Sequence, residues 1–305
     1  MANIHLPTRI SKTVGDLSLV LAPESGGAIA ALQYRGVNIL RALRDDDEPR
    51  ANLAGCFPLV PYSNRIAFGR FRFDGQSHEL ARNFGEHPHT IHGNGWLCAW
   101  QVESELENAI VLTLQHEARG EQMRHWPWSY QARQVLQLSK DTLCATLSCT
   151  NLAAHDMPVG LGFHPYFAQA DKALVRFSAD KVLINDHRAL PVAREAVPAQ
   201  WDYRELRAPV AGSVDNCFVG WDRRAEIYWP ETGIKAEIHS PDADNAVFFV
   251  PPIEKNFVAI EPVTNVNNAI NDLPIDAGPG AMRRLRPGAT MSVAMAIRVS
   301  HHAQA

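Results

Sequence analysis

MSVAMAIRV, residues 291–299, alternates without a break. Met291, Val293, Met295, Ile297 and Val299 fall on one side, and Ser292, Ala294, Ala296 and Arg298 on the other. A period of two marks a strand buried on one face, because successive side chains leave a pleated backbone in opposite directions. The pattern recurs in TLCATLSC (142–149), where Leu143, Ala145, Leu147 and Cys149 oppose Thr142, Cys144, Thr146 and Ser148. IVLTLQH (110–116) and GIKAEIH (233–239) repeat it through Ile110, Leu112 and Leu114 and through Ile234, Ala236 and Ile238. Twenty prolines and nineteen glycines interrupt these runs at short intervals, as a meander of strands needs. Helical pattern is confined to QWDYREL (200–206) and NVNNAIND (265–272), and the acidic run DDDE (45–48) reads as an exposed loop. The expected fold is all-β: one large antiparallel β-sandwich forming a single domain over residues 1–305.

Charge and composition exclude several classes. Hydrophobic residues make up 46% and charged residues 20%, an ordinary globular balance, and the net charge is −4. The densest basic cluster, Arg283-Arg284-Leu285-Arg286, reads as a solvated turn before the last strand; without a basic stripe, no nucleic-acid partner is expected. No run of 18 apolar residues is present, so no membrane span is expected. The five cysteines form no Cys-x-x-Cys pair, and MANIHLPTRI lacks the basic-then-apolar pattern of a secretory signal. A cytoplasmic protein with reduced thiols is the expectation. No oligomeric state is readable.

HPHTIHGNGW (87–96) is the stretch richest in chemistry. One reading is a metal site, with His87 and His89 on one strand face. Against it, Pro88 interrupts a ladder strand and the next carboxylate is Glu103. The other reading gives a role to His92 alone, beside a Gly93-Asn94-Gly95 turn that lets backbone approach a ligand, with His87 and His89 as loop residues. GLGFHPYF (160–167) sets His164 among Phe163, Tyr166 and Phe167, where desolvation favours a neutral imidazole able to exchange a proton. NFVAIEPV (256–263) reads as a buried strand ending at Glu261, a carboxylate with no adjacent cation in sequence and so a candidate general base. Asn64-Arg65 and Asp215-Asn216 add groups that fix hydroxyl-rich ligands by paired hydrogen bonds.

In order, NRIAFGRFRFDG, IHGNGW, FHPYF, VDNCF, IEP with NAIN, and LRPGAT resemble the aldose 1-epimerase (galactose mutarotase) family, from about residue 24 to 298. The resemblance implies a β-supersandwich and an isomerase that interconverts α- and β-anomers of a free aldose. It implies Glu261 as general base and His164 as general acid, with His92 and Arg65 flanking the sugar. Asp215 would hold a ring hydroxyl, and Asn64 would assist. No cofactor and no metal are implied, and the absence of a dinucleotide fingerprint, a P-loop or a nucleophile elbow accords with that. The chain departs from galactose-type members at Gly93-Asn94, where two glycines are usual, and in the Pro-Val-Thr-Asn-Val-Asn-Asn run after Glu261. Those loops border the sugar in the family, so the preferred aldose stays open. Three alternatives remain: a hexose-phosphate 1-epimerase using Arg70 and Arg72, a non-catalytic carbohydrate-binding protein using Trp96, Trp100, Trp126 and Trp128, and a glycoside hydrolase pairing Glu261 with Asp215.

Overall fold

A computed structural model describes residues 8–44 and 47–301. Asp45 and Asp46 of the acidic run lie outside the described residues, as do the first seven. Two antiparallel sheets dominate. The larger has fourteen strands, and its main path runs Gln101–Glu105, Ala109–His116, Tyr130–Leu138, Thr142–Asn151, Thr290–His301, Ile234–His239, Val214–Trp229, Asn245–Val250 and Phe257–Val263. Short strands Gly162–Phe163 and Pro58–Leu59 close that path. The smaller sheet has four strands between Ile10 and Asn38. Side chains of both, among them Leu19, Leu32, Leu147 and Val293, enter one hydrophobic core.

The alternation sorts residues as its period requires. Val293, Met295, Ile297 and Val299 are buried, while Ser292 and Arg298 face solvent. This strand pairs with Thr142–Asn151 on one side and Ile234–His239 on the other. The strand Phe257–Val263 behaves differently: every residue in it is buried, because both faces are covered. Glu261 is therefore not at the strand's end. The ladder continues through Pro262 and Val263, and Glu261 faces Val247 across it.

Both helical expectations shrink. Only Ala269–Asp272 of the 265–272 stretch is α-helical, because Asn265 and Asn268 bond outward to another segment and Asn268 takes φ +54°. In 200–206 a 3-10 turn covers Ala199–Trp201 and then stops. Tyr203 is pulled into the core, stacking on Phe177 at 5.5 Å, and its carbonyl accepts the Phe177 N–H. Tertiary packing overrides the local helical pattern there. Among the described residues, no helix is long and apolar enough to cross a membrane.

Candidate active site

Glu261 is 2% exposed, and its Oε1 lies 3.1 Å from His164 Nε2. The His164 ring is clasped between Phe57, stacked at 4.8 Å, and Tyr166, at 4.3 Å, and its backbone N–H donates to the Phe57 carbonyl. The Tyr166 hydroxyl stands 3.4 Å from the same Nε2. Arg41 packs over the Tyr166 ring at 4.1 Å while its guanidinium donates to the carbonyls of Asn52 and Ala54. Burial, then Asp215, push the Glu261 carboxyl well above the usual range, against a smaller opposing pull from Arg65. Burial, then the neighbouring His92 and Arg41, hold His164 well below an ordinary imidazole. Each member resists charge, so the pair is poised to trade a proton.

His92 joins them with its ring 5.3 Å from that of His164. Its orientation is fixed by a reciprocal tie to Asn64. The Asn64 N–H donates to His92 Nδ1 at 3.1 Å, and the His92 N–H donates to the Asn64 carbonyl at 2.9 Å. Because Nδ1 spends its lone pair on that backbone donor, the ring proton of neutral His92 sits on Nε2. Burial first, then Arg65 and His87, lower its pKa to about 3, so it is a neutral donor at physiological pH.

Arg65 is 10% exposed and bridges two groups. One terminal nitrogen contacts Asp215 Oδ2 at 3.1 Å and the other donates to Asn64 Oδ1 at 3.2 Å. Asn64 therefore spends its side chain on orienting Arg65. Asp215 is 43% exposed and marks the open side of the cluster. Arg65 Nε, His164 Nδ1 and Glu261 Oε2 are buried without a hydrogen-bond partner among the described residues, a concentration of unmet polar atoms that a packed core avoids.

The side-chain donor atoms of His92, His164 and Glu261 all lie within 4.8 Å of one another, the residue types of a two-histidine, one-carboxylate metal centre. The hydrogen bonds do not fit that use. With Nδ1 accepting from Asn64, neutral His92 has a proton, not a lone pair, on the nitrogen left over. The His87–His89 alternative fails on similar grounds. His89 is fully buried, its Nδ1 accepts the Phe68 N–H at 3.0 Å, and its Nε2 lies 3.0 Å from the Arg188 carbonyl, to which it donates. His89 is thus a loop residue, as expected, but a buried one that ties its loop to two other segments. His87 stays partly exposed beside it, its Nδ1 accepting the His89 N–H.

The glycine turn packs tightly against the protein itself. Gly93 has φ +67°, and a Cβ there would lie 2.2 Å from the Val60 carbonyl oxygen, so glycine permits a close approach to the Val60–Pro61 backbone. Asn94 turns inward, donating to His116 Nδ1 at 3.0 Å and accepting from the Tyr130 hydroxyl at 2.8 Å. After Glu261, the Asn265 amide brackets Ser63, accepting its N–H and donating to its carbonyl, each at 3.0 Å. Asn268 accepts the Ala67 N–H at 2.9 Å and donates its own N–H to the Arg65 carbonyl at 2.7 Å. These asparagines clamp the Asn64–Arg65 loop to the end of the glutamate strand.

A profile of the aldose 1-epimerase family matches residues 10–298. The chain belongs to the aldose 1-epimerase family. The uncharacterized protein YphB of Escherichia coli (strain K12) is 31% identical over 254 residues, 81% of this chain and 84% of its own length. A solved structure from Escherichia coli K12, proposed to be an aldose 1-epimerase, is 27% identical with a TM-score of 0.87 and covers 97% of this chain and 99% of that one. A galactose mutarotase-like protein from Clostridium acetobutylicum shares the fold at 20% identity, TM-score 0.86, over 96% and 95% of the two chains.

As a member of the aldose 1-epimerase family, the chain brings all six expected site residues, Glu261, His164, His92, Arg65, Asp215 and Asn64, into one connected cluster. Phe57 and Arg41, which the sequence did not flag, complete its wall; a lone Phe and a lone Arg carry no local motif. The four tryptophans of the binding-protein alternative are buried, with Trp126 fully enclosed and Trp96 the most exposed at 6%. Arg70 and Arg72 project outward from the strand Arg70–Phe73, bonded to Glu79 and to the Gly75 carbonyl.

Proposed function

We propose that this protein is an aldose 1-epimerase that interconverts the α- and β-anomers of a free aldose, acting as one domain over residues 1–305 in the cytoplasm. The 3.1 Å contact between Glu261 Oε1 and His164 Nε2 carries the reading. The active pair holds one proton between two groups that each resist charge. With that proton on His164, the Glu261 carboxylate accepts the proton of the C1 hydroxyl while His164 Nε2–H protonates the ring oxygen, and the C1–ring-oxygen bond breaks. The pair is left as a neutral acid and a neutral imidazole. After rotation about C1–C2, the same two groups act in reverse: His164 takes the proton from the attacking hydroxyl and Glu261 returns one to the carbonyl oxygen. Ring closure thus restores the starting protonation, and no co-reactant is consumed.

Neutral His92 and cationic Arg65 supply donors on the sugar side, and Asp215 offers the matching acceptor. The test is polarimetric. Fresh α-anomers of galactose, glucose, xylose and arabinose are followed with and without protein. Acceleration on one or more is the expected result, and no acceleration across the panel overturns the proposal.

A further inference from the structure

His92 takes φ +61°, a backbone angle that non-glycine residues rarely adopt, yet its ring must keep one direction for Nε2–H to meet a sugar hydroxyl. Such an angle persists where the surroundings over-determine it, and here two side chains do so. Asn83 lies on the loop ahead of the strand Thr90–Ile91. Its amide nitrogen donates to the Ile91 carbonyl at 2.8 Å and to the Gly93 carbonyl at 2.9 Å, and its Oδ1 accepts the Ile91 N–H at 2.9 Å. Ile91 and Gly93 are the residues on either side of His92. The indole N–H of Trp96 is shared between the same two carbonyls, at 3.3 and 3.2 Å.

One planar amide thus fixes the distance between the carbonyls that flank His92. The amide nitrogen carries two hydrogens at a fixed angle, and both are spent here. The indole has a single hydrogen to divide, so it cannot replace the amide. With residues 91 and 93 held, little freedom is left to the His92 backbone, and the Asn64 N–H on Nδ1 then sets the ring. Asn83 itself is half-buried, and its hydrogen bonds all go to backbone.

We infer that Asn83 is a positioning residue for the epimerisation: it holds the turn that aims the His92 Nε2–H at the sugar and acts only through His92. The inference rests on the epimerase reading above. The test is a double-mutant cycle, with kcat and KM measured by polarimetry on the aldose that the parent turns over fastest and folding checked by circular dichroism. Asn83→Ala should lower kcat/KM by about 10–100-fold, the range expected when a donor is misplaced by ~1 Å. It should divide that loss between kcat and KM as His92→Asn does. The His92→Asn variant tolerates the positive φ and keeps an acceptor near the Asn64 N–H, but it lacks the Nε2 donor. In that background Asn83→Ala should cost less than twofold, because the donor it aims is already gone. Asn83→Ser, which keeps one donor, should fall between Asn83→Ala and the parent, and it takes the place of Asn83→Ala in the cycle if the alanine variant does not fold. Losses that multiply in the double variant would overturn the inference and leave the epimerase reading standing. So would Asn83→Ala within twofold of the parent, or a His92→Asn variant as active as the parent. If the parent epimerises no aldose, the epimerase reading falls and takes this inference with it.

Discussion

The candidate site has two halves built by different means. Glu261 and His164 are set by the strand Phe257–Val263 and by aromatic packing, and both are almost wholly enclosed. Asn64 and His92 take positive φ just beside a two-residue ladder, Arg65–Ile66 against Thr90–Ile91, and the three are held by reciprocal hydrogen bonds, with Asp215 partly in solvent. Packing creates the low-dielectric setting that makes proton exchange feasible, whereas hydrogen bonding fixes the direction of donors that must meet hydroxyls. His89 and His92 show how finely the second means works. Each accepts a backbone N–H on Nδ1, from Phe68 and Asn64 respectively, but the other nitrogen of His89 is spent on the Arg188 carbonyl. That one difference separates a structural histidine from a functional one.

The largest effects should come from the enclosed half. Glu261→Gln should lower kcat by roughly 10²–10⁴ with an unchanged fold by circular dichroism. A variant within tenfold of the parent would remove Glu261 as the base. His164→Ala should fall in the same range, and the combined variant should be little worse than either alone, because the two act as one unit.

The pH profile of kcat/KM sharpens the same point. Only the one-proton pair is active. Acidification adds a second proton to it, resisted by the depressed His164, and alkalinisation removes the last one, resisted by the elevated Glu261. The expected curve is a bell whose acid limb lies below the ordinary imidazole pKa of about 6.5 and whose basic limb lies above the ordinary carboxylate value of about 4.3. An acid limb centred on the unperturbed histidine value would contradict the pair.

For the loop half, Arg65→Lys should raise KM by about 10–100-fold with a smaller change in kcat, the loss of a charge-assisted bond worth roughly 1.5–3 kcal/mol. If kcat carried the whole loss, the division into a reacting half and a holding half would fail. His89→Ala should lower unfolding free energy by about 1–3 kcal/mol, since it strands the Phe68 N–H and the Arg188 carbonyl, with turnover on remaining folded protein nearly intact.

The smallest effect is a slope. His92 binds its proton less readily folded than unfolded, so its contribution to stability is complete above about pH 6.5 and is lost as pH falls toward about 3. Within that window it adds up to ~1.4 kcal/mol of lost stability per pH unit, and His92→Gln should flatten denaturant midpoints measured across it by that share.

The strands were legible because alternation is a local signal: Met295 and Ile297 announce a buried face wherever the strand lies. Their neighbours were not, since nothing in residues 291–299 says that the partners are 142–151 and 234–239. In the site, residue type pointed to His92, His164 and Glu261, but the facts that assign their chemistry are contacts across long sequence separations. The Asn64 N–H on His92, the Phe57 ring on His164 and the clamp from Asn265 all belong to that class. The short helices were misjudged for the same reason, as Asn268 and Tyr203 answer to distant partners.

Asn265 follows Glu261 by four residues, and its amide reads the Ser63 backbone as a neighbouring strand would. That interval works as a ruler. It sets how far the arginine loop stands from the glutamate, and it is measured in whole residues. An inserted or deleted residue between 261 and 265 would slip the amide off Ser63 and shift one half of the site against the other. Within this five-residue span, Glu261 and Asn265 must keep both their side chains and their separation.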